Sequence, residues 1–456
     1  MADTPHVKIG LWDYVGLTPP PFGHAMRQFW SFDPKYINLN HGSFGAPPTP
    51  VQGAANVLAD IIEENPDKFF RIDWYPLLSK VRARLAAFLG ARTEEIVLVN
   101  NATVAAGIVL RNFVWREGDV LVGATTTYKG VYKNMEHIHD TNPQLTIANF
   151  DLDFPKSNDE ILKDFRAHLR ALPRAKASQA NPDPKVVCVL DSIVSNPGIL
   201  MPWREMVKIC REENVYSVVD AAHSIGQEVG LDLEAIQPDF WFSNCHKWLY
   251  AKRSCAVLYV PKRNQHIIRT GFPTSHQYNS DGSQVKSDWM SKPNTNGDDW
   301  AVPFSWPGTM DFVPYLSINA ALDFRQWAGG EEAINTYCRD LAREGGQRAA
   351  EILGTRVIDE SGDGAQTLNM VNVELPLRDV PANKLDFAND VLRDRLLLEH
   401  QAYASHFYHN KAFWVRFSAQ IYNELSDFEK MAEVFLKVCE EIKQAIREDV
   451  KSSPQS

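Results

Sequence analysis

The chain has 456 residues, 47 of them Lys or Arg against 57 Asp or Glu, for a net charge of −10, and 44% of it is hydrophobic. This length accommodates a large domain plus a smaller one, and the composition excludes wholesale disorder. The acidic balance argues against a nucleic-acid partner and an anionic membrane surface, and the lack of any run of about 18 apolar residues argues against a membrane span.

Residues 1–35 are rich in Pro and aromatics (Trp12, Pro19-Pro20-Pro21-Phe22, Trp30) and predict an arm over the body or over a partner subunit. Tyr36 to Gly45 reads as a short strand entering a Gly-rich turn. Helical periodicity covers 51–64 and 75–89, with Gly90 as a stop. From 96 to 260, strands at 96–99, 120–123, 145–149, 186–190, 217–219, 240–242 and 256–260 alternate with helices, which implies a mainly parallel α/β sheet. A Pro/Ala/polar loop at 171–185 and a polar stretch at 270–300 interrupt the pattern; the second, shortly after Lys247, reads as a lid. A helix from 316, strands at 369–374, in the 390s and at 414–418, and an amphipathic helix at 427–447 predict a smaller α+β domain. The expected division is 1–45 as arm, 46–315 as large domain and 316–456 as small domain. Six scattered cysteines lack metal-ligand spacing, so no metal is expected and they read as buried thiols of a reducing compartment. Residues 1–10 have no signal-type apolar core, so the protein is expected in the cytoplasm.

Two apolar runs end in polar residues, as buried parallel strands do at their carboxyl ends. One leads into Asp220-Ala-Ala-His223, the other into Ser243-Asn-Cys-His246-Lys247. A carboxylate and a lysine one strand–helix–strand unit apart suit pyridoxal phosphate: the amine forms a Schiff base, and the carboxylate keeps the pyridine nitrogen protonated. A structural Asp and a surface Lys are the alternative. Asn100-Asn-Ala102-Thr103 opens an apolar helix whose amino end can cradle a phosphate, unless Thr103 is only an N-cap.

The two motifs resemble the class V aminotransferase family of fold-type I pyridoxal phosphate enzymes, and the resemblance runs from about Tyr36 to about Asp427. It implies an α/β fold with a mainly parallel seven-stranded sheet, a smaller C-terminal α+β domain, pyridoxal 5'-phosphate as cofactor and a homodimer with shared active sites. It assigns Ala102 and Thr103 to the phosphate, joined by Ser243 and His246. Tyr128 would stack on the ring, with Tyr132 one helical turn later facing the same cavity; core packing is the alternative for both. His223 would lie beside the phenolic oxygen or be a satisfied core histidine. Ser195-Asn196-Pro-Gly198 resembles a family turn whose Asn reaches the cofactor or the substrate carboxylate, though Asn-Pro-Gly is turn chemistry by itself. Arg416, a charge inside an apolar strand, would grip the α-carboxylate of an amino acid or else form a structural salt bridge. Gly308-Thr309 matches an element that enters the neighbouring subunit's phosphate site. One departure is that relatives carry a glycine soon after the lysine, where this chain has Ala251-Lys-Arg-Ser-Cys255.

Cysteine desulfurases of the family need a loop cysteine shortly before the carboxylate arginine, and residues 400–414 hold none. They hold Tyr403, His406, Phe407, Tyr408, His409, Phe413 and Trp414 instead. Aromatic faces attract a quaternary ammonium; a domain core is the alternative. With Asn40, His41, Gly42 and Ser43 expected at the substrate, the text is most similar to the family's fungal C–S lyases of ergothioneine biosynthesis. That implies β-elimination from hercynylcysteine sulfoxide to a sulfenic acid, pyruvate and ammonia. Arg416 and Asn196 would hold the carboxylate, Lys247 would take the α-proton, and Tyr132 or Tyr128 would protonate the leaving sulfenate. An isopenicillin N epimerase-like epimerase, or another cysteine conjugate lyase, is the alternative.

Overall fold

The computed structural model describes residues 16–452 except 275–277, 279, 281–298, 363 and 379. Trp12, and the lid expectation for most of 270–300, lie outside the described residues.

Twelve strands are described: β1 (Ile37–Asn38), β2 (Ile96–Val99), β3 (Val120–Ala124), β4 (Thr146–Phe150), β5 (Val186–Asp191), β6 (Tyr216–Asp220), β7 (Phe240–Asn244), β8 (Ala256–Tyr259), β9 (Met370–Glu374), β10 (Ala402–Tyr403), β11 (Ser405–His409) and β12 (Ala412–Ser418). Seven form the main sheet in the order β2-β8-β7-β6-β5-β3-β4, and only β8 runs against the rest. Both faces of the central strands are covered, which is why β2, β5, β7 and β8 read as unbroken apolar runs and not as alternating ones. The seven predicted strands all form, within two residues at each end.

The helices that position the site are α1 (Thr49–Glu64), α2 (Trp74–Leu89), α3 (Ala102–Asn112), α4 (Lys129–Thr141), α5 (Asn158–Ala171), α6 (Trp203–Glu212), α7 (Val313–Trp327), α8 (Gly330–Leu353), α9 (Leu385–Asp394) and α10 (Leu425–Ser452). Gly90 ends α2 in a left-handed conformation, as its position predicts. Helix α7 packs against α1 and α2, so it runs across the expected division at 315/316. A second, antiparallel sheet of order β11-β12-β9 packs against α8 and α10.

The 390s are not a strand. Leu385, Ala388, Leu392 and Leu396 follow helical spacing and turn one face inward, while Leu397 and Leu398 point to solvent. The strand lies later, at β11. The described part of the arm rests on the chain's own body: Gly23 N donates to Ile421 O at 2.8 Å, His24 pairs with Asp427 at 3.1 Å, and β1 adds in parallel to β10. Among the described residues, no helix is long and apolar enough to cross a membrane.

Candidate active site

In open α/β sheets, ligands lie beyond the carboxyl ends of the strands. Here the ends of β5, β6 and β7 meet the amino end of α3 around a cavity of about 400 Å³. Asp220 closes β6, and Lys247 follows β7. Burial is the main reason the Lys247 amine falls to about 7; the Arg416 charge adds to it and Asp220 opposes it. Burial lifts the Asp220 carboxyl to about 6, against a hydrogen bond from Ala222 N at 3.1 Å and the lysine charge. His223 Nε2 lies 3.1 Å from Lys247 Nζ, and the Trp248 indole N–H donates to His223 Nδ1 at 3.2 Å. His223 is therefore held neutral at the amine, well below its ordinary range because of burial and then the lysine and arginine charges.

A second carboxylate, Asp191, also lines the cavity. It ends β5 in register with Asp220, and burial together with that neighbour pushes it well above the carboxylate range. Sequence reasoning missed it, although Asp191 ends its apolar run as Asp220 ends its own.

On the opposite wall, Asn101 caps α3 by accepting from Val104 N at 2.9 Å, so Thr103 is not the N-cap. Ala102 and Thr103 line the cavity at the positive end of the helix dipole. Asn244, also missed, accepts from Ala102 N at 2.9 Å and ties β7 to that helix. Tyr128 lines the mouth with half its surface exposed. His246 is in the cavity too, with Nδ1 3.2 Å from Cys255 O; burial lowers it to about 4.

Ser243 and Tyr132, expected at the cofactor, are elsewhere. Ser243 is fully buried beneath the cavity, donating to Ala221 O and accepting from Ile225 N at 3.1 Å, so its hydroxyl is used by the scaffold. Tyr132 faces strand β4, where its hydroxyl accepts from Asn149 Nδ2 at 2.8 Å, and it packs on the core of that side. One helical turn past Tyr128 carries the side chain along the sheet edge, away from the mouth.

Arg416 of β12 is 1% exposed and stands behind the cavity wall, outside its lining. Its guanidinium donates to Ser195 O and, at 2.9 Å, to Ser43 Oγ, both at the cavity wall. Among the described residues it has no ion pair, its Nε is buried without a partner, and burial lowers it to about 10. The salt-bridge alternative is thereby removed. Gly198 makes room for it, since a Cβ there would lie 2.7 Å from Arg416 Cδ. Asn196 is exposed at this turn and does not line the cavity. Ser43 is oriented by Asn40 Oδ1 at 2.7 Å. His41 bridges Tyr422 OH at 3.0 Å and Lys247 O at 2.8 Å, and burial takes it to about 3. Gly42 sits where a Cβ would press on Trp248, Met370 and Ser418. His41 and Gly42 thus support the site from behind.

The aromatics of 403–414 do not gather at the cavity. Phe413 and Trp414 are core, Trp414 Nε1 donates to His409 O at 3.1 Å, His406 faces Asn389 O at 3.2 Å, and Tyr408 lies against Phe413 on the surface. Gly308 and exposed Thr309 lie away from this chain's cavity. In the loop after Lys247, Tyr250 and Ser254 take φ of 74° and 73°, a conformation that costs about 1–3 kcal/mol per non-Gly residue. Stacking of the Arg325 guanidinium on Tyr250, 4.7 Å from its ring centre, helps hold that loop.

The family model for class-V aminotransferases matches residues 70–431. The chain belongs to that family. An L-cysteine desulfhydrase-like protein of Epichloe uncinata is 33% identical over 447 residues, covering 92% of this chain and 97% of that protein. The hercynylcysteine sulfoxide lyase of Schizosaccharomyces pombe is 30% identical over 430 residues, covering 92% and 98%. Among solved structures, the cystine C–S lyase C-DES superposes with a TM-score of 0.69 at 18% identity, over 88% of this chain and 97% of that one, a likeness of fold. The cofactor of this class-V enzyme is pyridoxal 5'-phosphate, and the cavity fits it. A buried amine lowered to about 7, a carboxylate at the strand end, an aromatic ring at the mouth and a helix amino end line it.

Proposed function

We propose that the carbon–sulfur lyase chemistry of this pyridoxal phosphate enzyme acts on hercynylcysteine sulfoxide, giving the sulfenic acid of ergothioneine, pyruvate and ammonia. The observation that carries an amino-acid substrate is Arg416: a fully buried guanidinium that, among the described residues, has no carboxylate and one donor without a partner, near enough for its charge to lower the Lys247 amine. Such a group is costly unless an anion completes it. The similarity to a hercynylcysteine sulfoxide lyase over nearly the whole chain supports the particular substrate.

Arg416, steadied by Ser43 and the Ser195 carbonyl, holds the α-carboxylate. Lys247, with an amine near 7, is a competent base for the α-proton at neutral pH. When bound, pyridoxal phosphate supplies the electron sink that makes that proton acidic, and Asp220 is the residue that would hold its ring nitrogen. Loss of the α-proton and departure of sulfur from Cβ leave aminoacrylate, which water converts to pyruvate and ammonia. Tyr128, which lines the cavity, would protonate the departing sulfenate. We also read the assembly as a homodimer whose partner brings Gly308-Thr309 to the phosphate end, and the compartment as cytoplasm.

The test is pyruvate release from a panel of cysteine derivatives. Release from hercynylcysteine sulfoxide at a much higher kcat/KM than from free cysteine is expected. Faster release of pyruvate and sulfide from L-cysteine would make the enzyme a desulfhydrase. Inversion at the α-carbon with no pyruvate would make it an epimerase.

A further inference from the structure

Trp248 follows the cofactor lysine directly and is fully buried. An indole nitrogen can only donate, so the 3.2 Å contact from Trp248 Nε1 makes His223 Nδ1 an acceptor. A neutral imidazole carries one proton, which is then on Nε2, the nitrogen 3.1 Å from Lys247 Nζ. An ammonium has three N–H donors and no lone pair, so an N–H aimed at Nζ suits only the free amine. We propose that Trp248 is a positioning residue: it selects the Nε2–H tautomer of His223 and so keeps an N–H pointed at Lys247 and into the cofactor cavity.

The indole is held in place for this. Arg325 Nη1 donates to Trp248 O at 2.7 Å and Nη2 to Gly226 O at 2.9 Å, clamping the loop after Lys247 to the turn after His223. Gly226, at φ +80°, lies so close that a Cβ would be 2.6 Å from the Trp248 carbonyl carbon. Gly42, Met370 and Ile193 pack around the ring, and His41 faces it with ring centres 5.5 Å apart. The direction of the proposal agrees with the lowered amine of Lys247. Burial and the Arg416 charge also lower that amine, and Asp220 raises it. His246 faces His223, and His41 touches the Lys247 carbonyl. Among the described residues, the indole N–H hydrogen-bonds to none of these and only to His223.

The inference rests on Lys247 as the amine that carries the cofactor, which is tested separately by loss of pyridoxal phosphate binding in Lys247→Ala. The test itself uses the cofactor-free protein. Its lysines are methylated reductively with ¹³C-formaldehyde, and the Lys247 signal is identified by its absence in Lys247→Ala and titrated by NMR. Trp248→Phe removes the donor, and β-(3-benzothienyl)alanine at 248 removes it while keeping the ring's shape should the Phe variant not fold. With the tautomer released, Nε2 can accept from an ammonium, and the Lys247 midpoint should rise by about one pH unit, a tenfold gain in proton affinity. In a His223→Phe background, which has no ring nitrogen for the indole to address, the same change at 248 should leave the midpoint where it was. An unchanged midpoint in the folded Trp248 variant would overturn the proposal. So would an equal rise in the Phe background, which would make Trp248 a packing residue only.

Discussion

Arg416→Met separates a binding arginine from a structural one. Burial depresses the guanidinium from its ordinary range to about 10, and at about 1.4 kcal/mol per pH unit this is about 3 kcal/mol of unfavourable charge burial in the ligand-free protein. Methionine keeps most of the volume and removes that term. The variant loses charge-assisted hydrogen bonds to Ser195 O and Ser43 Oγ, about 1.5–3 kcal/mol each. The two effects oppose, so stability in urea should fall by no more than about 3 kcal/mol. Substrate binding has no such compensation: a desolvated carboxylate left unpaired costs about 3–5 kcal/mol, a rise in KM of about 150- to 5,000-fold. The assay is kcat and KM for pyruvate release beside a urea melt of the cofactor-free protein. Gly198→Ala is the companion, because its Cβ would displace Arg416 from 2.7 Å away without altering the charge; it should raise KM as well. A variant destabilised by more than about 4 kcal/mol with unchanged KM would refute the reasoning and make Arg416 a scaffold residue.

Asp220 has a raised folded pKa, from 3.8 to about 6, so between those values the folded cofactor-free protein keeps a proton that the unfolded chain has released. The Asp220 contribution to stability should therefore fall as pH rises through that window, by about 3 kcal/mol, read in melts from pH 4 to 7 as the difference between wild type and Asp220→Asn, because the lowered His41, His223 and His246 titrate with the opposite sign. Asp220→Asn should also abolish turnover. If partner subunits complete each other's phosphate sites, mixing Lys247→Ala chains with Thr309→Asp chains should restore activity in hybrid dimers; a fully active monomer by sedimentation would end that reading.

What the sequence by itself determined was the sheet and the two ends that matter most. Buried parallel strands need apolar residues at every position, so their extents and the polar residues that terminate them, Asp220 and the Lys247 segment, are visible as breaks in local composition. The arginine in β12 is legible for the same reason, since a charge inside such a run needs a partner. Local text decided less elsewhere. The Leu-rich 390s suit a strand or a helix, and only packing against the neighbouring helix α10 selects α9. Ser243 and Tyr132 sit beside expected site residues in the chain, but the pleat turns one beneath the cavity and the helical rotation turns the other toward Asn149. The pairs that set the site's electrostatics, Asp191 with Asp220 and Trp248 with His223, join separate strands and loops. Their effect comes from shared burial, where loss of water magnifies each neighbour's charge, and that burial exists only once distant segments, the Asn40–Ser43 turn and Arg416 among them, have closed over the strand ends.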